Sequence, residues 1–358
     1  MNIQLVILLI IIITYLVSPS NEKGKKYLIW TSCILFTIQS GFRHITSSGD
    51  TLVYYYNFWS VKKASWEEII NSLFMNLSEV RDPGYAVLEK IFSSLIPSWT
   101  FFCLSTAFLL FLGLGRIWAR YLQTKSAVLF ASVLWLALFN IIALSGMRQM
   151  ITTALAFLIT PAMEQKKWLI VIPTVLIGSY IHISFLLFLA FIPLSYIKKS
   201  YYNYILFIAI AMVPVVASIS QTIMIFMVSQ MANEYYQAYA YEATGAKAYT
   251  YVALCTGLSL FMMFYYRQLK EAPKFYSIAA VLMTMLVPLI LRGGTAIRIG
   301  QYFTVYMMLS LPFIIERISM KKFYYTLMLS VLTYYIIISS SSSYLFFWDR
   351  PIAYIYGF

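Results

Sequence analysis

The sequence predicts an all-α polytopic membrane protein of about twelve transmembrane helices, and three observations predict it. The 358-residue chain is 61% hydrophobic and only 11% charged. Its apolar runs are about 15 to 25 residues long, the helix length that matches the hydrocarbon thickness of a bilayer. They are apolar on every face, whereas a closed β-barrel needs short segments that alternate apolar and polar.

In order, the runs fall at residues 5–17, 27–41, 99–115, 126–144, 147–161, 168–180, 183–197, 204–227, 249–266, 275–291, 299–315 and 323–338. The first is read as a span rather than a leader, because it lacks a basic start and a small-residue cleavage pattern. Residues 168–197 are ambiguous by length, one overlong helix or two short ones meeting at His182. Charge decides. Lys166 and Lys167 precede the stretch, Lys198 and Lys199 follow it, and basic loops are retained in the cytoplasm, so the chain must cross and return. With that hairpin every basic loop falls on one face. Those loops and their flanks hold 16 basic and 4 acidic residues, and the outer segments hold 10 and 9. The asymmetry predicts both termini outside.

The net charge of +13 is thereby explained by orientation signals in short loops, which leaves no case for nucleic acid. Cys33, Cys103 and Cys255 lie inside apolar runs without metal spacing and read as packing residues. Residues 1–358 read as a single integral membrane domain with no internal repeat, and residues 339–343 are a low-complexity exit from the last span. The outer segment 42–98 carries two amphipathic helices that would lie on the membrane surface. Ser65 with Glu68 forms a capping box ahead of Trp66, Ile69, Ile70, Leu73, Phe74 and Leu77. Asp82 with Pro83 starts a second helix, with Leu88, Ile91, Phe92 and Leu95 on one stripe. A second outer segment, 229–248, is rich in Tyr and Ala and could cover a site as a lid.

Absences narrow the chemistry. The only aspartates are Asp50, Asp82 and Asp349, so no Asp-x-Asp pair holds a metal and a nucleotide-sugar, and no glycine-rich lysine loop cradles a nucleotide phosphate. Two histidines in the whole chain argue against a zinc site. No metal and no cofactor is expected. What remains is a set of arginines at outer span ends: Arg43, Arg148, Arg292 and Arg298. Arg148 sits in the first turn of a span, where free N–H groups and the helix dipole favour an anion. Planar guanidinium groups bind phosphate oxygens bidentately and suit a diphosphate. The competing reading is interfacial snorkelling, but lysine anchors as well and these positions are all arginine. His182, at the hairpin apex, suits proton transfer, the alternative being a histidine bonded to a neighbouring carbonyl. Asp50 is a second candidate base, or a helix N-cap. Asp82 reads first as a cap and second as a substrate ligand. Tyr54 and Tyr55, with Tyr56, Phe58 and Trp59, would stack on sugar faces, although an interfacial aromatic belt predicts the same residues.

The order of short motifs resembles a known family. Gly41, Phe42, Arg43; Gly49, Asp50, Thr51 and Tyr55; Asp82, Pro83, Gly84, Tyr85; Gly146, Met147, Arg148, Gln149; His182 with Ser184; and Arg298 before Tyr302 and Phe303 are similar to the EpsG-like branch of Wzy-type polysaccharide polymerases. The resemblance runs from about residue 40 to 305, with a looser echo at residues 348–354. It implies a bacterial inner-membrane enzyme of O-antigen, capsule or exopolysaccharide synthesis. Such an enzyme transfers a growing glycan from undecaprenyl diphosphate to the non-reducing end of another lipid-linked repeat unit on the outer face. The fold would resemble C-type membrane glycosyltransferases and O-antigen ligase, and a chain-length regulator protein is a candidate partner. Gln149 and Tyr302 join Tyr54, Tyr55 and Asp82 as expected substrate contacts. Two competing functions are a lipid-linked oligosaccharide flippase and a membrane O-acyltransferase. A flippase usually binds near the midplane between repeats, and an acyltransferase leaves the outer arginines unexplained.

Overall fold

A computed structural model describes residues 3–46, 49–75, 82–229, 246–292, 300–339 and 346. Among them there is no strand, only an isolated bridge of Arg43 with Phe346. The helices, in order, are α1 (Ile3–Val17), α2 (Glu22–Gly41), α3 (Gly49–Lys63), α4 (Trp66–Ser72), α5 (Pro83–Leu95), α6 (Trp99–Tyr121), α7 (Lys125–Ser145) and α8 (Met147–Glu164). They continue with α9 (Trp168–Ile181), α10 (Ile183–Tyr196), α11 (Tyr202–Ser229), α12 (Ala246–Phe264), α13 (Lys274–Leu291), α14 (Gly300–Ile315) and α15 (Lys321–Ser339).

Each of the twelve predicted apolar runs falls on a helix. Among the described residues four helices are long and apolar enough to cross a membrane: α6, α7, residues 199–220 and α13. Shorter apolar helices accompany them, including both arms of the hairpin. One contiguous apolar core runs from Ile7 to Ile336. The protein is therefore an all-α membrane protein. Within it α2 packs along α6, α6 along α8, and α8 along α9, while α3 and α5 lie together against the ends of the bundle. A π-helical turn at Trp135–Phe139 shifts the register of α7 before it reaches its last turn.

The hairpin is present. α9 and α10 pack on each other, and Trp168 Nε1 donates to the Tyr196 hydroxyl at 3.1 Å, so the two lysine-flanked ends of the pair meet while His182 lies at the far tip. The basic loops also gather at one end. Lys125 Nζ reaches the Ser18 carbonyl at 2.6 Å, Lys25 Nζ the Leu122 carbonyl at 3.2 Å, and Lys199 Nζ the Ala272 carbonyl at 2.7 Å. Tyr121 donates to Glu164 at 2.7 Å and Thr124 to Glu316 at 2.6 Å. These lysines satisfy the backbone carbonyls that helix ends leave open.

Two helices form in segment 42–98 where the amphipathic ones are expected, with Leu77 of the first stripe outside the described residues, and the second also buries polar residues. The capping box of Ser65 and Glu68 closes at 3.1 and 2.9 Å. On α5, however, Ile91 and Leu95 of the apolar stripe are exposed, and the buried residues are Pro83, Tyr85, Glu89, Lys90 and Ser93. Lys90 is turned inward to cap α3, with Nζ at 3.0 Å from the Lys62 carbonyl and 2.6 Å from that of Ala64. The stripe is thus split: Leu88 and Phe92 pack on the core, Phe92 against Phe101 and Phe102, while Ile91 and Leu95 face away from the protein.

The start of α5 is fixed by a close approach. A Cβ on Gly84 would stand 2.9 Å from the Tyr180 Cβ and 3.0 Å from its carbonyl carbon, so only glycine lets α5 touch the end of α9. Gly84→Ala is expected to cost about 1–3 kcal/mol, the usual penalty of overpacking, read as a lower melting point of the purified protein in detergent. An unchanged melting point would mean that α5 does not depend on this contact.

Candidate active site around Asp82

At the end opposite the basic loops, four helices deliver their termini to one carboxylate. Asp82 precedes α5, is buried, and adopts the left-handed conformation with φ 52° and ψ 55°. That conformation costs an L-residue roughly 1–2 kcal/mol, least for Asp and Asn. The turn points its carboxylate away from its own helix, and no side-chain cap is made to α5. The expected N-cap role is therefore corrected. Oδ2 accepts from Arg148 Nη1 at 2.6 Å, and Oδ1 accepts from the Ile183 N–H, the first of α10, at 3.3 Å. The Nδ1 atom of His182 stands 3.7 Å from Oδ2. Burial raises the Asp82 pKa, but the nearby His182 and the charge and hydrogen bond of Arg148 outweigh it and hold the carboxyl below its ordinary range.

Arg148 lies in the first turn of α8, after Gly146, which supplies no side-chain cap, and no acidic residue occupies that turn. The open N–H groups there and the guanidinium form one electropositive surface. Its guanidinium carbon stands 5.3 Å from the ring centres of both Tyr54 and Tyr85, and Nε has no hydrogen-bond partner. The aromatic faces shape a slot for the cation, and Asp82 holds one corner of it.

The other expected residues divide. Tyr54 belongs to the group, through Arg148 and through an edge contact with Tyr85 at 5.6 Å between ring centres. Asp50 lies in the first turn of α3, one turn ahead of Tyr54 on the same face, and so is inside the helix rather than its N-cap. Tyr55 packs edge-on against Trp59 and Trp99, away from the arginine. Tyr302 is fully buried, and its hydroxyl meets Thr152 at 2.6 Å, one turn along α8 from Arg148, so it joins α14 to α8 rather than offering a ring to a sugar. Gln149 is buried beside Gly146.

Arg43 corrects an expectation. It is buried and donates through Nη1 to the Ser40 carbonyl at 2.5 Å and the Ala143 carbonyl at 3.2 Å, with Nη2 against the Met147 sulfur. It clamps the carboxyl ends of α2 and α7 and does not offer its fork to a phosphate. The Arg292 side chain, Arg298, and nearly all of segment 229–248 lie outside the described residues.

Two residues went unread in the sequence. Tyr85 entered only as part of a motif, and Glu89 not at all. Both lie on a flank of the apolar stripe of α5 that is buried together with Leu88 and Phe92. The spacing of Tyr85 and Glu89, one turn apart beside that stripe, was the available signal. Among the described residues no three His, Cys, Asp or Glu side chains gather as a metal-ligand set.

The bundle holds an arginine, a histidine and a carboxylate together at the end away from its basic loops. The chain belongs to the EpsG family, whose model matches residues 26–354. No curated protein and no solved structure matches it. The expected likeness to O-antigen ligase thus rests on sequence resemblance.

Because Asp82 is depressed in the folded state, its stabilisation is complete above the unfolded carboxylate value of about 3.9 and is lost as the pH falls through the folded one. Asp82→Asn keeps the tolerance for left-handed backbone but leaves Arg148 without its counter-charge, at a cost of about 3–5 kcal/mol at pH 7. In denaturation measurements the gap from wild type is expected to shrink as the pH falls below that range. A gap independent of pH would show that the ion pair is not its source.

Proposed function

We propose that the chain is a lipid-dependent polysaccharide polymerase, with its Asp82 end on the outer face of a bacterial inner membrane. The donor would be a growing glycan on undecaprenyl diphosphate and the acceptor the non-reducing end of another lipid-linked repeat unit. The observation that carries the reading is the joint hold of Asp82 on Arg148 and His182. In this scheme the acceptor hydroxyl attacks the anomeric carbon and gives its proton to His182, while the bond from that carbon to the diphosphate oxygen breaks. Undecaprenyl diphosphate leaves with the electron pair. In-line displacement inverts the anomeric centre.

Each residue then has a task that its surroundings suit. Arg148 and the open N–H groups at the head of α8 meet the charge that grows on the diphosphate, which stabilises the transition state more than the ground state. Asp82 orients both partners, and the imidazolium formed at His182 is stabilised by the same carboxylate. Arg298 and Arg292 are proposed as further diphosphate ligands, and Asp50 as an alternative base. Tyr54 and Tyr85 wall the slot. Arg43 serves as a buttress beneath it.

Glycan ladders formed from a defined lipid-linked repeat unit test the scheme. Arg148→Ala is expected to slow extension about 10²–10³-fold, as loss of a transition-state donor does. His182→Ala should cost about 10²–10⁴-fold, with substrate affinity less affected. Long chains persisting in either variant, at wild-type stability, would remove that residue from the mechanism. A wild-type protein that moves unpolymerised units between leaflets and makes no ladder would favour the flippase reading.

A further inference from the structure

Glu89 is the least explained ionisable group in the described structure. It is buried on the inward face of α5, one turn after Tyr85, and its Oε1 has no hydrogen-bond partner. Nor has the Tyr85 hydroxyl. The neighbouring cation in sequence, Lys90, is committed to the carbonyls of Lys62 and Ala64 and does not neutralise it. The groups electrostatically coupled to Glu89 are Tyr85 on its own helix, Arg148 from α8 and Cys103 from α6. Tyr54 from α3 and Asp82 act on it through Arg148, and Arg43 through Cys103.

We propose that Glu89 is a positioning residue that carries a proton in the working protein, and that its neutrality reserves the charge of Arg148 for an anionic ligand. The proposal rests on the diphosphate reading above and adds the condition under which that site is open. Arg148 already spends one unit of charge on Asp82. A second carboxylate behind Tyr85 would leave the arginine between two negative groups, and the local sum would repel a diphosphate. A neutral carboxyl at the same place leaves the unpaired edge of the guanidinium available. Burial without a cation partner is what keeps a carboxyl neutral. It pushes the Glu89 pKa up to about 8, although Tyr85 and Arg148 pull it back.

The consequence is an alkaline limit on binding. As Glu89 ionises above about pH 8, Arg148 is drawn to it and affinity for the diphosphate falls, by about tenfold per pH unit where binding requires the proton.

The test uses the full-length protein with undecaprenyl diphosphate as the probe, and reads binding and ladder formation from pH 6 to 9.5. Wild type is expected to lose affinity above about pH 8, with KM rising before kcat falls. Glu89→Gln, a permanent stand-in for the protonated acid, should bind at wild-type strength at pH 7 and stay flat. Glu89→Asp should keep the alkaline loss. Infrared difference spectra between pH 7 and 9 should show a protonated carboxyl band disappearing in wild type, and no such change in Glu89→Gln. If Glu89→Gln does not fold, the wild-type band and the Glu89→Asp profile still decide. An alkaline loss that survives in Glu89→Gln, or the absence of a titrating carboxyl band in wild type, overturns the inference. A titrating band in a protein that forms no ladder and binds no undecaprenyl diphosphate overturns the polymerase reading instead, and with it the ligand assigned to Arg148.

Discussion

The bond between Asp82 and Arg148 organises the functional end of this protein. A carboxylate taken out of water into a helical bundle loses hydration worth several kcal/mol, and a 2.6 Å charge-assisted bond recovers that only with further donors. The second donor is the first N–H of α10, a group that every helix leaves open. Asp82 thus caps a helix it does not belong to. It does so because its left-handed backbone turns the side chain outward from α5, and because Gly84 allows that helix to lie directly on the end of α9. Sequence places these residues 66 positions apart from Arg148 and 101 from Ile183, yet one carboxylate fixes the mutual position of α5, α8 and the hairpin tip.

That arrangement explains what was legible in the chain and what was not. The spans, the capping box at Ser65 and the turn at His182 follow from local rules, namely apolar length, a side chain three residues from its amide, and the placement of lysines. α5 defeated the same rules. An apolar stripe on a helix is ordinarily buried, but only Leu88 and Phe92 of this one pack on the core, Ile91 and Leu95 are exposed, and Glu89 and Lys90 lie inside. The rule assumes water on the far side. Where lipid replaces water an apolar residue can turn outward, which is why the sequence pattern hid Glu89.

Arg43 and Arg148 show a distinction that the sequence did contain. Both stand at the same end of the bundle, but Arg43 follows a helix and Arg148 begins one. A helix that has just ended presents free carbonyls, and a guanidinium placed there has acceptors at hand, as Arg43 has in Ser40 and Ala143. A helix that is beginning presents N–H groups, so an arginine in its first turn finds no backbone acceptor. It must pair with a carboxylate or bind an anion from outside, and Arg148 pairs with Asp82. Chain direction therefore sorts an arginine held by carbonyls from one held by a carboxylate.

The remaining constraint is register. Side-chain hydrogen bonds between spans, such as Ser32 with Ser132 at 3.0 Å and Thr160 with Tyr306 at 2.8 Å, are each worth only about 0.6 kcal/mol in a bilayer. They add little to stability, because a polar side chain facing lipid would find other partners. Their effect is to choose one sliding position among several that apolar packing would accept equally. Tyr302 with Thr152 is the bond of this kind nearest the site, and it ties the first turn of α14 to the second turn of α8. An error of one helical turn there would carry Arg148 about 5 Å from Asp82, well beyond the reach of their bond. Tyr302, expected to touch substrate, holds α8 at the height where its arginine and the hairpin histidine share one carboxylate.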